Sequence, residues 1–480
     1  MANGRRDDVV ITIEAEEETQ WLLHPSAGNE SCCIFRVPQC LVEINTKTYQ
    51  PHIVSIGPYH SGKPHLQMMQ QHKGRYFRDL LARTPPTGPK LDDYLQAVAS
   101  REHDIRRSYS ETINLCSRDL VEMMVLDGLF TIELFCKVAR LSPSDPDDAI
   151  FNLGWVFPNL IRDLLRLENQ IPFFVLQILL DKSKASRKED SQSSLAKLAL
   201  EFINHAVETP PLIINQQFKV EAKHLLDLVR LSFIPQPPDQ QSHPPQDKKL
   251  KSIPFPLVHL IRPLKVIKSN TRKAVKKLLV GLKPKTMKGN TNTSSVELIQ
   301  SAKKLFIAGI KLKSVEASSF LDIKFHKGVL KIPNILLDNL RTDLFLNFVA
   351  FEQCYFHCSK HITTYAAFMS CLVRTPADAT FLCDRNIIEN YLGTNEEVAD
   401  FFRNLSKDVP FDIDQSFLCN LFNDVNNYQR NVWRVRWAGF KFTYFDTPWS
   451  FLSASAALIL LLLTVLQAFY AVYAFYHPQQ

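Results

Sequence analysis

One stretch constrains this chain more than any other. From Trp449 to Tyr476 it reads WSFLSASAALILLLLTVLQAFYAVYAFY, 28 residues without a charged side chain. At ~1.5 Å per residue a helix of this length extends about 42 Å, and a bilayer core of ~30 Å needs only about 20 apolar residues. Pro448 suits the first helical position, where the missing N–H has no partner to lose. Trp449 at one end and Tyr470, Tyr473 and Tyr476 at the other are placed like interfacial aromatic belts. The expectation is a single transmembrane helix over 448–476, a tail anchor with four residues beyond it. A helix buried in a protein core is the competing reading, and such helices usually carry shorter apolar runs.

The opposite end offers no secretory signal, because 1–18 is polar and acidic, with Glu14, Glu16, Glu17 and Glu18 and no apolar h-region. Arg430, Arg434, Arg436 and Lys441 precede the apolar run, and only His477 follows it. The positive-inside rule then places the large domain in the cytosol, with the plasma membrane as the expected location. Ten cysteines without a regular framework fit a reducing compartment. Asn-x-Ser triplets at Asn29, Asn292 and Asn404 point the other way, but such triplets arise often by chance.

The net charge of +7 is unevenly spread: thirteen Lys or Arg and no Asp or Glu lie between Lys248 and Lys288. The rest of the chain is mildly acidic. A proline-rich stretch, Pro235 to Pro245 (PQPPDQQSHPP), leads into the basic run and is unfit for helix or central strand. The chain therefore divides into a polar tail over 1–30, a main domain over 31–445 with an insert over 235–293, and the apolar helix.

With 45% apolar residues the main domain can bury a large core. Its periodicity predicts a mainly α-helical globular domain with minor β hairpins, followed by the one C-terminal transmembrane helix. Leu120–Val138 is apolar nearly all round, as in a buried helix. Further helices are expected over Asn159–Leu180, Lys219–Ser232, Ser294–Lys313, Asp338–Ser359, Ile362–Arg374, Glu396–Asp408 and Asp414–Trp437. Cys32–Val37, Leu41–Ile44 and His52–Ile56 alternate weakly, like strands. Phe320–Phe325 and Val329–Ile332, joined through His326-Lys327-Gly328, read as a hairpin.

Several blocks carry a family resemblance. Phe35-Arg36-Val37-Pro38, Tyr49-Gln50-Pro51 and Val54-Ser55-Ile56-Gly57-Pro58-Tyr59-His60 open the series. Val125-Leu126-Asp127-Gly128, Ile132-Glu133-Leu134-Phe135 and Leu167-Glu168-Asn169-Gln170-Ile171-Pro172-Phe173-Phe174 follow. Then come Ala350-Phe351-Glu352-Gln353-Cys354, Ile387-Ile388-Glu389-Asn390-Tyr391-Leu392-Gly393, Glu396-Glu397-Val398-Ala399 and Thr447-Pro448-Trp449. In this order they resemble the plant "domain of unknown function 247" family. The resemblance implies a largely helical, membrane-attached plant protein with no established reaction, in a family with members implicated in reproductive recognition. One block departs: Met69-Gln70-Gln71-His72-Lys73-Gly74 stands where the family usually reads Met-Glu-x-His-Lys-Trp.

Candidate chemistry is sparse. Glu168 and Glu352 could act as acid and base across a pocket, with His60 as a further candidate. The competing reading gives Glu168, Asn169 and Gln170 a structural task, satisfying carbonyls freed where Pro172 breaks a helix. Cys354, His357, Cys358 and His361 fall on one face if the segment is helical, but Cys354 and His361 would then lie ~10 Å apart and could not share one zinc. No catalytic residue, metal or cofactor site is assigned from the residues; phosphate-loop, nucleophile-elbow, zinc-protease and Cys-x-x-Cys motifs are absent.

The insert has more content. Leu264, Ile267, Thr271, Ala274 or Val275, Leu278 and Leu282 form a stripe, with Lys265, Lys268, Arg272, Lys273, Lys276 and Lys277 around it. Such a basic amphipathic helix suits anionic lipid or calmodulin; a solvated loop is the alternative. Nucleic acid is a poor fit, since the patch lacks aromatic residues for stacking. The expected function is recognition or scaffolding, with a protein partner bound at a lipid bilayer. The alternative is an uncharacterised enzyme using the buried Glu and His groups.

Overall fold

Leu120 to Lys137 shows why one helix becomes the centre of a domain: nearly every position is apolar, so no face is left for water. The helix Ser117–Val138 forms there and buries residues on all sides. It starts at Cys116, whose Sγ accepts from the Asp119 N–H, and the chain turns away at Arg140 with φ 59°. Helices Gln67–Arg83, Leu91–Ala99, Phe173–Lys184 and Leu195–Ile203 pack around it. Gly128 permits the closest approach, since a Cβ there would lie 2.4 Å from Leu179 Cδ1.

The computed structural model describes residues 23–143, 145–184, 194–207, 221–235, 298–430 and 448–476. The second half builds on the helix Asn339–Cys354, against which His361–Leu372 and Asn395–Leu405 pack. Val156–Leu164 and Leu225–Phe233 also contact Asn339–Cys354 and so tie the two halves together. One continuous apolar core runs from Cys32 to Val425.

The strands are short. β1 (Lys311–Val315), β2 (Lys324–His326) and β3 (Val329–Pro333) form a sheet ordered β1-β3-β2. β3 runs parallel to β1, pairing Lys311 with Val329, and antiparallel to β2, pairing His326 with Val329. Lys327 and Gly328 take φ of 48° and 81°, as a tight hairpin turn requires. The Tyr428 ring covers Gly328 so closely that a Cβ would lie 2.4 Å from its hydroxyl. β4 (Ile335–Leu337) and β5 (Ile388–Asn390) form a second, parallel pair.

Several expectations are corrected. The C-terminal helix Pro448–Tyr476 forms, but among the described residues no helix is long and apolar enough to cross a membrane. The fold class is thus mainly helical, and the expected transmembrane helix is not found among the described residues. The single expected helix over Asn159–Leu180 is two, Val156–Leu164 and Phe173–Lys184, broken at the Leu167–Pro172 block. Ser294–Lys313 is not one helix; Ala302–Ile307 is helical and β1 follows. The expected hairpin is one arm of a mixed sheet. The basic insert lies outside the described residues.

Near the start, Gln39–Val42 is a helical turn after Pro38, not a strand, and Ile34 makes only an isolated bridge to Tyr109. His52–Ile56 is no strand either, because its backbone donors go to side chains.

Candidate functional site

That diversion of backbone donors defines the polar interior. Asp163, fully buried near the end of Val156–Leu164, accepts from the N–H groups of His52, Ile53 and Val54 at 2.7 to 3.1 Å. Arg166 Nε donates to the same carboxylate at 3.0 Å, and its guanidinium also reaches the Thr48 carbonyl. Asn169 continues the ladder: Oδ1 accepts from Ile56 N at 2.7 Å, and Nδ2 donates to the carbonyls of Val54 and Asp163. Gln170 donates to the carbonyls of Leu164 and Arg166 and accepts from Leu226 N. These two amides satisfy the backbone groups left open by the helix break.

Glu168 faces the first block. Its carboxylate accepts from Val37 N at 2.8 Å and from Arg36 Nη1 at 3.0 Å. His60 Nε2 lies 3.0 Å from Glu168 Oε2, off the line of a good hydrogen bond, and Nδ1 has no hydrogen-bond partner among the described residues. Burial would raise the Glu168 carboxyl, but His60, the Val37 N–H and Arg36 outweigh it and hold the carboxyl below its ordinary range. Burial pushes His60 down as well, which favours the neutral ring.

Lys73 and Asp127 form an ion pair almost fully removed from solvent. Lys73 also donates to the Ser55 carbonyl, and Asp127 accepts from Gly57 N at 2.8 Å. Burial pushes the Asp127 carboxyl up, against the pull of Lys73 and the Gly57 N–H. Lys73 belongs to the block that departs from the family pattern. The departing positions are peripheral: Gln70 is exposed, and nothing lies within 4 Å of a Cβ built on Gly74.

Glu352 caps the following helix. It accepts from Ile362 N at 3.1 Å, from Thr363 N at 2.7 Å and from Thr363 Oγ1 at 2.7 Å, satisfying open donors at the start of His361–Leu372. Arg230 Nη1 donates to it at 3.2 Å, and Arg230 Nη2 donates to Asp227 at 2.9 Å. Burial pushes the Glu352 carboxyl up, with Arg230 and the Thr363 and Ile362 donors pulling against it. His224 caps Leu225–Phe233: Nε2–H donates to the Cys33 carbonyl at 3.1 Å, so Nδ1 is free to accept from Asp227 N at 3.2 Å. Burial pushes this imidazole down to about 4.

Of the sequence candidates, His60 and Glu168 are brought together, while Glu352 stands in a separate network that shares no hydrogen-bond partner with them. Glu168 and Glu352, the candidate acid and base, thus belong to different hydrogen-bond networks. The helix carrying Cys354 ends there, and a new one starts at His361, so the Cys354–His361 cluster does not share a helix face. Among the described residues no group of three or more His, Cys, Asp or Glu could hold a metal ion. Lys265, Lys268, Arg272, Lys273, Lys276 and Lys277 lie outside the described residues.

Sequence reasoning missed Lys73, Asp127 and Asp163 as hubs, although a signal exists. Met69, Lys73, Tyr76 and Leu80 share the buried stripe of their helix, and Leu160, Asp163 and Leu164 share theirs. A charge on the apolar stripe marks a buried pair. It also missed a cavity of about 350 Å³ bounded by Phe233, Phe320, Phe345, Phe348, Arg341 and Glu389. None of His60, Glu168 and Glu352 lines it.

These networks define a helical domain in which buried carboxylates and amides hold the backbone of 34–57 and the ends of helices. Residues 34–463 match the plant family of proteins of unknown function, DUF247, and the chain belongs to it. It is similar to UPF0481 protein At3g47200 of Arabidopsis thaliana, 39% identical over 467 residues, covering 96% of this chain and 90% of that protein. It is also similar to the Arabidopsis UPF0481 protein At3g02645, 25% identical over 95% of this chain and 96% of that protein. No solved structure matches.

Proposed function

We propose that this protein is a recognition or scaffold protein that binds a protein partner at a membrane surface. The observation that carries the reading is the C-terminal helix Pro448–Tyr476, where Leu458, Ile459, Leu460 and Leu461 are 56–64% exposed. Consecutive exposed apolar side chains on a helix favour an apolar neighbour, lipid or protein. Lys265, Lys268, Arg272, Lys273, Lys276 and Lys277 would add attraction to anionic lipid, about 1 kcal/mol for each residue near the surface. All ten cysteines are free, which supports a reducing environment for the domain.

An enzyme is the second reading, and the contact of His60 with Glu168 is the one observation that favours it. It carries less, because His60 is 1% exposed and Glu168 is occupied by the Val37 N–H and Arg36.

The test compares the full chain with one ending at Phe445. The full chain should float with phosphatidylcholine vesicles, and the shortened chain should stay behind. Proximity labelling in plant cells should return membrane-associated proteins for the full chain and lose them for the shortened one. Equal flotation and the same labelled proteins for both would overturn the reading. In the full chain, Lys273, Lys276 and Lys277 changed to Gln should weaken binding to anionic vesicles by roughly 3 kcal/mol.

A further inference from the structure

The cavity of about 350 Å³ belongs to none of the clamping networks. Four phenylalanines contribute to its walls. Phe320 packs on Phe233 and Phe345 with ring centroids 5.3 and 5.2 Å apart, and Phe233 packs on Phe348 at 6.2 Å. Phe233 and Phe320 are only half-buried, so part of each ring remains uncovered. The rings brace one another and do not depend on an occupant for their arrangement.

The charges at the rim are unbalanced. Arg341 is held by Asp338, which takes its guanidinium and its backbone N–H. That leaves Glu316 and Glu389, both exposed, and neither pairs with a cation among the described residues. Asn334 Nδ2 donates to Glu389 Oε1 at 2.6 Å and leaves that carboxylate a full negative charge. An anionic ligand would meet two carboxylates there. A cation would gain from both.

We propose that this cavity binds a small organic cation with an apolar body, an arylalkyl amine in chemical class. The body fills the space among Phe233, Phe320, Phe345 and Phe348, and the ammonium sits at the rim with Glu316 and Glu389. The volume falls in the range of small-molecule sites, ~300–1,000 Å³. The site stands apart from the recognition reading and does not rest on it.

The test uses the full chain and three probes of one shape: phenylpropylamine, phenylpropanol and phenylpropionate, titrated by calorimetry. The amine should bind, the alcohol should bind about 3-fold more weakly, and the acid should be about 10-fold weaker or undetectable. Glu316→Gln with Glu389→Gln should weaken the amine about 2- to 10-fold and leave the alcohol unchanged. Ala317→Trp, at an exposed lining position, should block all three probes while the thermal unfolding of the domain stays in place. The proposal is overturned if no probe binds or if the acid binds as tightly as the amine. Amine binding that survives both the charge change and Ala317→Trp overturns it equally.

Discussion

Asp163 and Glu389 are both carboxylates that accept from amide N–H groups, and they are used in opposite ways. Asp163 is fully buried and takes three successive backbone N–H groups and Arg166. Glu389, on β5, is exposed and takes one amide, that of Asn334. The same contrast separates the two regions they stand for. In the clamped interior, Asp127, Glu168 and Glu352 also face fixed donors, so their charge is committed to holding 34–57 and the start of His361–Leu372 in place. Around the cavity, the acidic groups have spare capacity for something from outside. Blocks that mark the family therefore read, in this chain, largely as structural devices. A search for chemistry is better directed at the rim, where charge remains available.

Lys73→Met should have the largest effect on stability. It leaves Asp127 buried without its cation, and removing one member of such a pair costs about 3–5 kcal/mol. Urea unfolding followed by circular dichroism measures the loss. Adding Asp127→Leu should recover much of it, since replacing both members with apolar groups removes the unpaired charge. A loss under about 1 kcal/mol for Lys73→Met would mean that the interior is far wetter than its burial indicates.

His224 gives the next largest effect, through pH. Its folded imidazole titrates near 4, well below the ordinary value of 6.5, because burial opposes the charge. The unfolded chain therefore binds the proton first as pH falls. The stabilisation is present above about pH 6.5 and is lost progressively as pH drops towards 4, by up to roughly 3 kcal/mol. Protonation also places an N–H at Nδ1, against the Asp227 N–H that this nitrogen accepts. His224→Asn keeps a capping oxygen and removes the titration, so its stability should fall less between pH 6.5 and 4 than that of the unaltered chain. Parallel curves would remove His224 from the account.

How much of this was legible follows from the range of each interaction. Ser117–Val138 was readable because its pattern is local and apolar all round, and the β2–β3 hairpin because Lys327 and Gly328 mark the turn. His52–Ile56 alternates like a strand, yet its backbone donors go to a carboxylate 110 residues away, which no local pattern encodes. β1 and β5 are three to five residues long and pair in parallel with distant segments, so nothing nearby announces them. Glu168 and Glu352 were picked out as polar groups in apolar runs, but their separation into different networks depends on tertiary packing. The cavity was invisible for the same reason. Its rings come from Phe233, Phe320, Phe345 and Phe348, on segments that only the fold assembles.

Glu168→Gln and Glu352→Gln should each cost about 1–3 kcal/mol, since an amide cannot accept at both ends from donors placed for a carboxylate. Of the two, Glu352→Gln should be the more damaging, because four donors converge on it: Arg230, the N–H groups of Ile362 and Thr363, and the Thr363 hydroxyl. Hydrogen exchange should show the loss at the first turn of His361–Leu372, whose amides would lose their acceptor. Exchange unchanged at Ile362 and Thr363 would mean that the amide caps as well as the acid.

The smallest stability effect completes the comparison. Glu389→Gln should change stability by no more than about 0.5 kcal/mol, as surface substitutions usually do. The Asn334 contact survives, since a glutamine oxygen still accepts from Nδ2, and β5 keeps its backbone pairing with β4. What changes is the charge at the cavity rim, so the variant separates folding from binding in one residue. Urea unfolding of Glu389→Gln beside Glu352→Gln sets the two carboxylates against each other under the same conditions. If the exposed one costs as much as the buried one, Glu389 is part of the clamped interior after all, and the spare charge that distinguishes the cavity does not exist.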